Sequence, residues 1–296
     1  SFWKKLEQRV LGASAPRKVR VIALTEKILV MHTGGWIGDM ILLTPALRAL
    51  RKRFPEAHIS MLVLPLVREL MERNPYLDRV IIYDRRGTQR GLRQMRQMAD
   101  RLRAEKFDTA IILHPNSVTS GILAYMAAIP NRIGARAHST VPIPGRLTGI
   151  HEVQRYLNVV SRIAGANHDS KLEFWGIGRE DMDFAERALL RFGYRVAQKK
   201  IIGINISTTW RSKQWSAERF AQLADLLPRR FDAGVILTGG SEDRQLGEEI
   251  AGRISDIRTL LNLTGKTTLW QLGALISRCD LYITCDSGPM HISAAV

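Results

Sequence analysis

Three observations predict an α/β architecture of two doubly wound domains. Short apolar runs of strand type alternate with helical periodicity along the chain. The alternation closes with a helix near residue 164 and restarts at Lys200. Turns rich in glycine, serine or aspartate directly follow the runs KILVMH and LYIT, at the strand ends where open α/β sheets bind ligands.

Lys27–His32 reads as a buried parallel strand, because its apolar residues are continuous rather than alternating. Thr44-Pro45 reads as an N-cap with proline in the first turn, and the helix runs to Arg53, where Phe54-Pro55 stops it. His58–Leu64, Arg79–Tyr83, Thr109–Leu113 and Arg132–Gly134 are further strands. Helices are expected at Leu66–Arg73, Gln89–Glu105, Ser117–Ala128 and Glu152–Ala164. In the second half, Glu180–Phe192 is a helix and Lys200–Asn205 a new first strand. Helix Ala217–Leu227, strand Gly234–Thr238, helix Asp243–Arg253, helix Leu269–Ser277, strand Leu281–Thr284 and a helix beginning near Pro289 follow. The joint falls in the polar, glycine-containing stretch 165–179. The expected domains are a basic extension at 1–26, a first domain at 27–178 and a second at 179–296, in keeping with about 150 residues per domain.

Composition excludes several classes. Hydrophobic residues make up 45% and charged residues 24% of the 296, as in ordinary globular proteins. No apolar run approaches the ~18 residues of a membrane span, and Ser1-Phe2-Trp3-Lys4-Lys5 is not followed by a signal-peptide core. Neither secretion by that route nor integral membrane insertion is expected. The two cysteines, Cys279 and Cys285, flank a strand; six residues of strand hold them roughly 20 Å apart, too far for a disulfide, so a reducing cytoplasm is expected.

Charge is distributed unequally. Net charge is +16, and residues 1–178 hold 28 Lys/Arg against 14 Asp/Glu. This asymmetry suggests an acidic partner for the first half, whether nucleic acid, a phosphorylated substrate or an anionic membrane face, or else reflects a basic proteome or solubility. Nucleic acid fits poorly, since basic–aromatic interleaving, an RNP motif and a zinc module are all missing. In the helix at 89–105, Leu92, Met95, Met98, Ala99 and Leu102 fall on one side and Arg90, Arg93, Arg96, Arg101 and Arg103 on the other. That face suits an anionic membrane or an acceptor phosphate, or is simply solvated; Phe2-Trp3-Lys4-Lys5-Leu6 is a second candidate anchor.

Four strand-end loops carry the polar chemistry. Gly34-Gly35-Trp36-Ile37-Gly38-Asp39 follows the first strand; its spacing is neither the dinucleotide G-x-G-x-x-G nor a Walker motif. Asp39 either points into a ligand crevice or caps a helix. Ser207-Thr208-Thr209-Trp210-Arg211-Ser212-Lys213 gathers hydroxyls and cations in a composition suited to phosphate. In Thr238-Gly239-Gly240-Ser241-Glu242-Asp243, an acidic residue is placed to hold a ribose diol or to cap a helix. Asp286-Ser287-Gly288-Pro289-Met290-His291 combines a hydroxyl, amides and a helix start, which suits a nucleotide diphosphate. Loops from two domains would gather in a cleft between them. His114 closes a strand and is a candidate to line the acceptor side. No histidine, cysteine or acidic cluster has zinc spacing, and no Asp-x-Asp for metal–nucleotide binding is read, so no metal is expected.

These residues carry a family resemblance. GDMILLTPALRALRKRFPEAHISMLV resembles the opening of glycosyltransferase family 9, the ADP-heptose:lipopolysaccharide heptosyltransferases. KQWSAERFAQLADLL, LTGGSEDRQLGEEIA and LTGKTTLWQLGALISRCDLYITCDSGPMHISAAV are similar to its second domain, in order. The resemblance runs from about Lys27 to Val296 and is weakest across Thr88–Gly149. It implies a GT-B fold, an acceptor domain first and a nucleotide-sugar domain second, and an inverting, metal-independent and cofactor-free sugar transfer. It makes Asp39 the general base; Gly34, Gly35, Gly38 and His114 are acceptor-loop candidates from their place at strand ends. It assigns Lys213 to the donor phosphates, Asp243 to the ribose, and Asp286, Ser287, Gly288 and His291 to the diphosphate turn; Thr208 and Thr209 are donor-binding candidates from their hydroxyl-rich loop alone. The implied partners are ADP-heptose, an acidic lipid A–core acceptor and the anionic inner face of the inner membrane, with no nucleic acid. Asp243 is shorter than the family's usual Glu, and Ser-Thr-Thr stands where many relatives have Pro-Gly. The chain stops at Val296 in the first turns of a helix, where the family continues with a strand and closing helices, so a truncated chain is expected. The rival readings are a GT-B epimerase or a non-catalytic nucleotide-sugar-binding protein.

Overall fold

The computed structural model describes residues 25–114, 117–134, 139–143, 149–166, 168–191, 193, 200–208 and 210–296. Thr209 and the N-terminal stretch with its Phe2-Trp3 segment lie outside the described residues. The chain divides into two compact units at Trp175/Gly176.

The first unit is built on a parallel sheet of β1 (Lys27–His32), β2 (His58–Val63), β3 (Arg79–Ile82), β4 (Thr109–Ile112), β5 (Asn131–Gly134) and β6 (Val141–Pro142), in the order β3-β2-β1-β4-β5-β6. β1 is central, with Leu29 opposite Ser60 on one side and Ala110 on the other. Both its faces are covered, which is why every residue after Lys27 is buried and its sequence is continuously apolar. Helices α1 (Ile37–Leu42), α2 (Thr44–Arg53), α3 (Arg68–Glu72), α4 (Leu92–Ala104), α5 (Val118–Met126) and α6 (Glu152–Ala164) cover the sheet. Met95, Met98, Ala99 and Leu102 of α4 pack with Leu29, Met31 and Ile112 in one apolar cluster.

The second unit repeats the plan. Its strands β7 (Lys200–Asn205), β8 (Ala233–Thr238), β9 (Leu260–Asn262) and β10 (Leu281–Thr284) are parallel, in the order β10-β7-β8-β9. Its helices are α7 (Arg179–Arg191), α8 (Ala217–Phe231), α9 (Arg244–Ala251), α10 (Leu269–Ile276) and α11 (Gly288–Ser293). Gly203 is obligatory in β7, because a Cβ there would lie 2.3 Å from the Tyr282 ring of β10. Cys279 and Cys285 are both free.

The structure corrects the sequence reading at several elements. Thr44 is not an N-cap. A short helix has already begun at Ile37, and Leu43, itself in the right-handed helical region, leads into α2. Pro45 removes the amide that would have continued the first helix, so it divides two helices rather than starting one. Pro228 does not end α8, which runs on to Phe231 and stops at Asp232 in the left-handed region; the proline forfeits one hydrogen bond in the last turn. Leu92 is half-exposed rather than part of the apolar face of α4. β6 and β9, of two and three residues, are too short to show a period.

A charged strap closes the first unit. Arg48, on α2 and only 8% exposed, pairs with Asp169 and with Glu173 Oε2 at 3.0 Å, and donates to the Lys171 carbonyl at 3.0 Å. Tyr76 Oη donates to Glu173 at 2.8 Å, and Thr44 Oγ1 accepts the Glu173 amide at 3.1 Å. The Trp175 ring meets Tyr76 edge-on. Arg48→Ala is expected to destabilise the first unit by roughly 1–2 kcal/mol, since it removes the buried stem of Arg48 and its charge-assisted contacts while leaving solvated carboxylates. Urea unfolding measures this, and a loss below about 0.5 kcal/mol would reduce the strap to an ordinary surface pair.

Candidate active site

Parallel strands put every strand-to-helix loop at the same edge of a sheet. Where strand order reverses, adjacent loops leave in opposite directions and open a crevice. In the first unit the reversal lies between β1 and β4; in the second it lies between β7 and β10.

At the first crevice, β1 ends in His32 and passes through Thr33-Gly34-Gly35 into α1. His32 is buried, and a Cβ on Gly35 would lie 2.6 Å from His32 Nδ1 and 2.6 Å from Met40 Cε. Gly35 is therefore glycine because the imidazole occupies its side-chain space. Gly38 is buried in the first turn of α1, and Gly34 faces the Arg85 guanidinium, whose Nε donates to the Thr33 carbonyl at 2.5 Å. The Thr33 hydroxyl is hydrogen-bonded to that of Ser120 at 2.9 Å.

Asp39, in the first turn of α1, is partly buried. Its Oδ2 accepts the Trp36 amide at 2.7 Å, the returning half of a helix cap. Its Oδ1 accepts from Tyr156 Oη at 3.4 Å. Of the two alternatives left open by the sequence the cap is observed: one oxygen caps the helix, while the other meets the Tyr156 hydroxyl of α6. Tyr156 Oη lies 3.1 Å from His32 Nε2, and the exposed His114 ring sits edge-on to His32 at 5.9 Å. Burial holds the His32 imidazole down to about 4; Asp39 opposes that shift and His114 adds to it. Burial also pushes the Tyr156 phenol well above its ordinary range, reinforced by the charges of Asp39 and Glu152.

At the second crevice, Asn205 ends β7, fully buried. Its Nδ2 lies 3.1 Å from the Ser207 carbonyl, 3.2 Å from Thr284 Oγ1 and 3.1 Å from Ser287 Oγ, so one amide ties the β7 loop to the β10 loop. Lys213, in a single 3-10 turn at Arg211–Lys213, forms an ion pair with Asp286 across the same gap; both side chains are about half-exposed. Lys213 holds the Asp286 carboxyl below the usual range, with a smaller contribution from His291. Ser287 and Gly288 begin α11 beside this pair. Thr208 Oγ1 accepts the Trp210 amide at 3.4 Å.

Asp243 stands one loop away and is buried. Its Oδ2 accepts both the Ser207 hydroxyl at 2.6 Å and the Gly240 amide at 2.9 Å. It braces two loops, while the neighbouring Glu242 is the exposed carboxylate. One acidic pair with Asp-x-Asp spacing escaped the sequence reading: Asp181 and Asp183. Both lie in the first turns of α7, where Asp181 Oδ2 takes the Gly178 amide at 2.9 Å as a cap.

Four residues of these crevices were missed from sequence: His32, Tyr156, Arg85 and Asn205. His32 and Asn205 were read as the last residues of apolar strands. A polar residue at the carboxyl end of a buried strand is the signal that could have marked them. Tyr156 falls on the apolar stripe of α6, which predicts burial but not where its hydroxyl points.

The His32 shift carries a pH dependence. Its folded value, about 4, lies below the unfolded 6.5, so the unfolded chain takes the proton more readily. The stability it confers is complete above about 6.5 and is lost as pH falls toward 4. Unfolding free energy, followed by urea titration, should fall between pH 7 and 5. The slope should be shallower in His32→Gln, whatever its absolute stability; equal slopes would contradict the burial argument.

Comparison with known proteins places the architecture. Residues 95–296 match glycosyltransferase family 9 (heptosyltransferase). The lipopolysaccharide heptosyltransferase 2 of Escherichia coli is 27% identical over 292 residues, covering 91% of this chain and 80% of that protein. The crystal structure of a family 9 glycosyltransferase from Veillonella parvula superposes with a TM-score of 0.78 at 30% identity, covering 90% of this chain and 78% of that one. The structure of the E. coli ADP-heptose lipopolysaccharide heptosyltransferase II gives 0.70 at 25%, covering 91% and 82%. Two parallel α/β units with their polar residues gathered at the strand-order reversals, together with a family match over two thirds of the sequence, establish that this chain belongs to glycosyltransferase family 9, the heptosyltransferases, and has their GT-B fold.

Proposed function

We propose that the chain transfers heptose from ADP-heptose to the core of a lipopolysaccharide acceptor, with inversion and without a metal ion. One observation carries the reading: the two crevices hold complementary chemistry. Asp39 offers a carboxylate, fixed on both oxygens, at the first. Lys213 and Asp286 offer a cation shared with an exposed carboxylate at the second.

The acceptor is a sugar hydroxyl, too weakly acidic to be a good nucleophile at neutral pH. Asp39 takes its proton as the oxygen bonds to the anomeric carbon, which is worth typically 10²–10⁴-fold. The leaving ADP gains negative charge on its β-phosphate. Lys213 turns from Asp286 to that phosphate, and Ser287 and Gly288 supply further donors. Direct displacement from the face opposite ADP inverts the anomeric centre. Asp243 acts on the donor by holding Ser207 and the Gly240 turn in place; the exposed Glu242, which accepts from the Ser241 hydroxyl at 3.3 Å, is the carboxylate that would turn to a ribose. The excess of cations in the first half, including the exposed Arg93, Arg96 and Arg101, suits an acidic glycolipid on the cytoplasmic face of the inner membrane. No described helix is long and apolar enough to cross a membrane.

Asp39→Asn should reduce transfer at least a hundredfold while leaving ADP affinity within about twofold. ADP release and calorimetry test the two halves, and retention of more than about a tenth of the rate removes Asp39 as the base. Lys213→Ala should weaken ADP binding roughly tenfold or more, with only partial rescue by Lys213→Arg, whose planar guanidinium places its charge differently. Unchanged calorimetric affinity would return Lys213 to an ordinary surface role.

A further inference from the structure

We propose that Tyr156 is a positioning residue for the reaction. It donates its phenolic hydrogen to Asp39 because a neutral His32, protonated on Nε2, donates to Tyr156 in turn. The inference rests on Asp39 acting as general base.

The argument is one of donors and acceptors. Three groups lie in a row: His32 Nε2, Tyr156 Oη at 3.1 Å, and Asp39 Oδ1 a further 3.4 Å on. A phenol has one hydrogen. If Tyr156 gave it to His32, the phenolic oxygen would face a carboxylate oxygen with no hydrogen between them. His32 would then carry its own hydrogen on Nδ1, which is buried and has only its own backbone nearby, with no well-formed hydrogen bond to accept it. A buried N–H with no acceptor costs more than a buried lone pair with no donor. Protonation on Nε2 avoids both penalties. The hydrogens then all point one way, from imidazole to phenol to carboxylate, and each bond polarises the next.

The other charged groups facing this row are accounted for. Glu152 and Arg155, on the same helix as Tyr156, pair with each other at 2.7 Å, and His114 approaches His32 only by its ring edge. His32, held down to about 4, stays neutral from pH 5 to 9 and does not drain the proton that Asp39 collects. The row therefore orients the carboxylate without competing for its cargo. With Oδ2 on the Trp36 amide and Oδ1 on Tyr156, the Asp39 side chain has one rotamer, set by the first turn of α1 on one side and by α6 on the other.

The test uses the full chain, with ADP-heptose as donor and a truncated core glycolipid as acceptor. Tyr156→Phe keeps the ring and its packing against His32. It should lower kcat roughly tenfold, leave the donor KM within about twofold, and move the acid limb of the kcat/KM profile to higher pH. A wild-type kcat and unmoved limb in this variant, alongside an inactive Asp39→Asn, overturn the proposal and leave the base intact. An active Asp39→Asn overturns the base reading and this proposal with it. A second measurement needs no turnover: long-range 1H–15N spectra, with His32 identified by His32→Gln, should show the Nε2–H tautomer at pH 7. The Nδ1–H tautomer, or an imidazolium there, overturns the donor row directly.

Discussion

Parallel strand pairing is the constraint on which everything else in this chain depends. Each strand must be followed by a crossover before the next can align, so every strand-to-helix loop emerges at one edge. The order then has to reverse once, at β1/β4 in the first unit and β7/β10 in the second. Most candidate residues come from the strand ends and loops beside these two gaps, and Arg85 comes from the loop after β3. The first unit adds Tyr156 from α6, and the second adds Asp243 from the loop after β8.

Both units reuse a small local device. A strand ends, a glycine or tryptophan takes the N-cap position, and an aspartate three residues later folds back to accept its amide: Trp36 with Asp39, Gly240 with Asp243. In each case the capping oxygen is Oδ2. The consequences differ because the second partner differs. Asp39 spends its other oxygen on a phenol and remains partly accessible; Asp243 accepts the Ser207 hydroxyl on the same oxygen and is buried. The same cap therefore leaves Asp39 partly accessible, with one oxygen on a phenol, and makes Asp243 a brace between loops.

Much of the architecture was legible in the sequence because buried parallel strands are written as continuous apolar runs. Lys27–His32, Lys200–Asn205 and Leu281–Thr284 occupy the spans their sequences indicate. Proline misled at Pro45, since a missing amide can divide a helix rather than begin one, and only packing decides which. The loops were found because glycine and hydroxyl residues cluster there. The residues that aim the loops were not: His32 and Asn205 lie inside strand spans, and Tyr156 lies inside a helix stripe, where periodicity reports burial and is silent about hydroxyl direction. The Lys213–Asp286 pair joins residues far apart in sequence, and no local pattern could have matched them.

The fit between His32 and Gly35 couples two positions into one unit of sequence change. The imidazole fills the volume that any side chain at 35 would need, so alanine there collides with a ring held in place by Tyr156. Substituting the histidine alone leaves a void over the glycine and removes the phenol's donor. Neither position can drift by itself without a structural penalty. A methyl group at 35 needs room from both the imidazole and the Met40 side chain, and a smaller residue at 32 also removes the contact with Tyr156. Single-site substitutions at these two positions therefore report their mutual contact rather than two separate requirements.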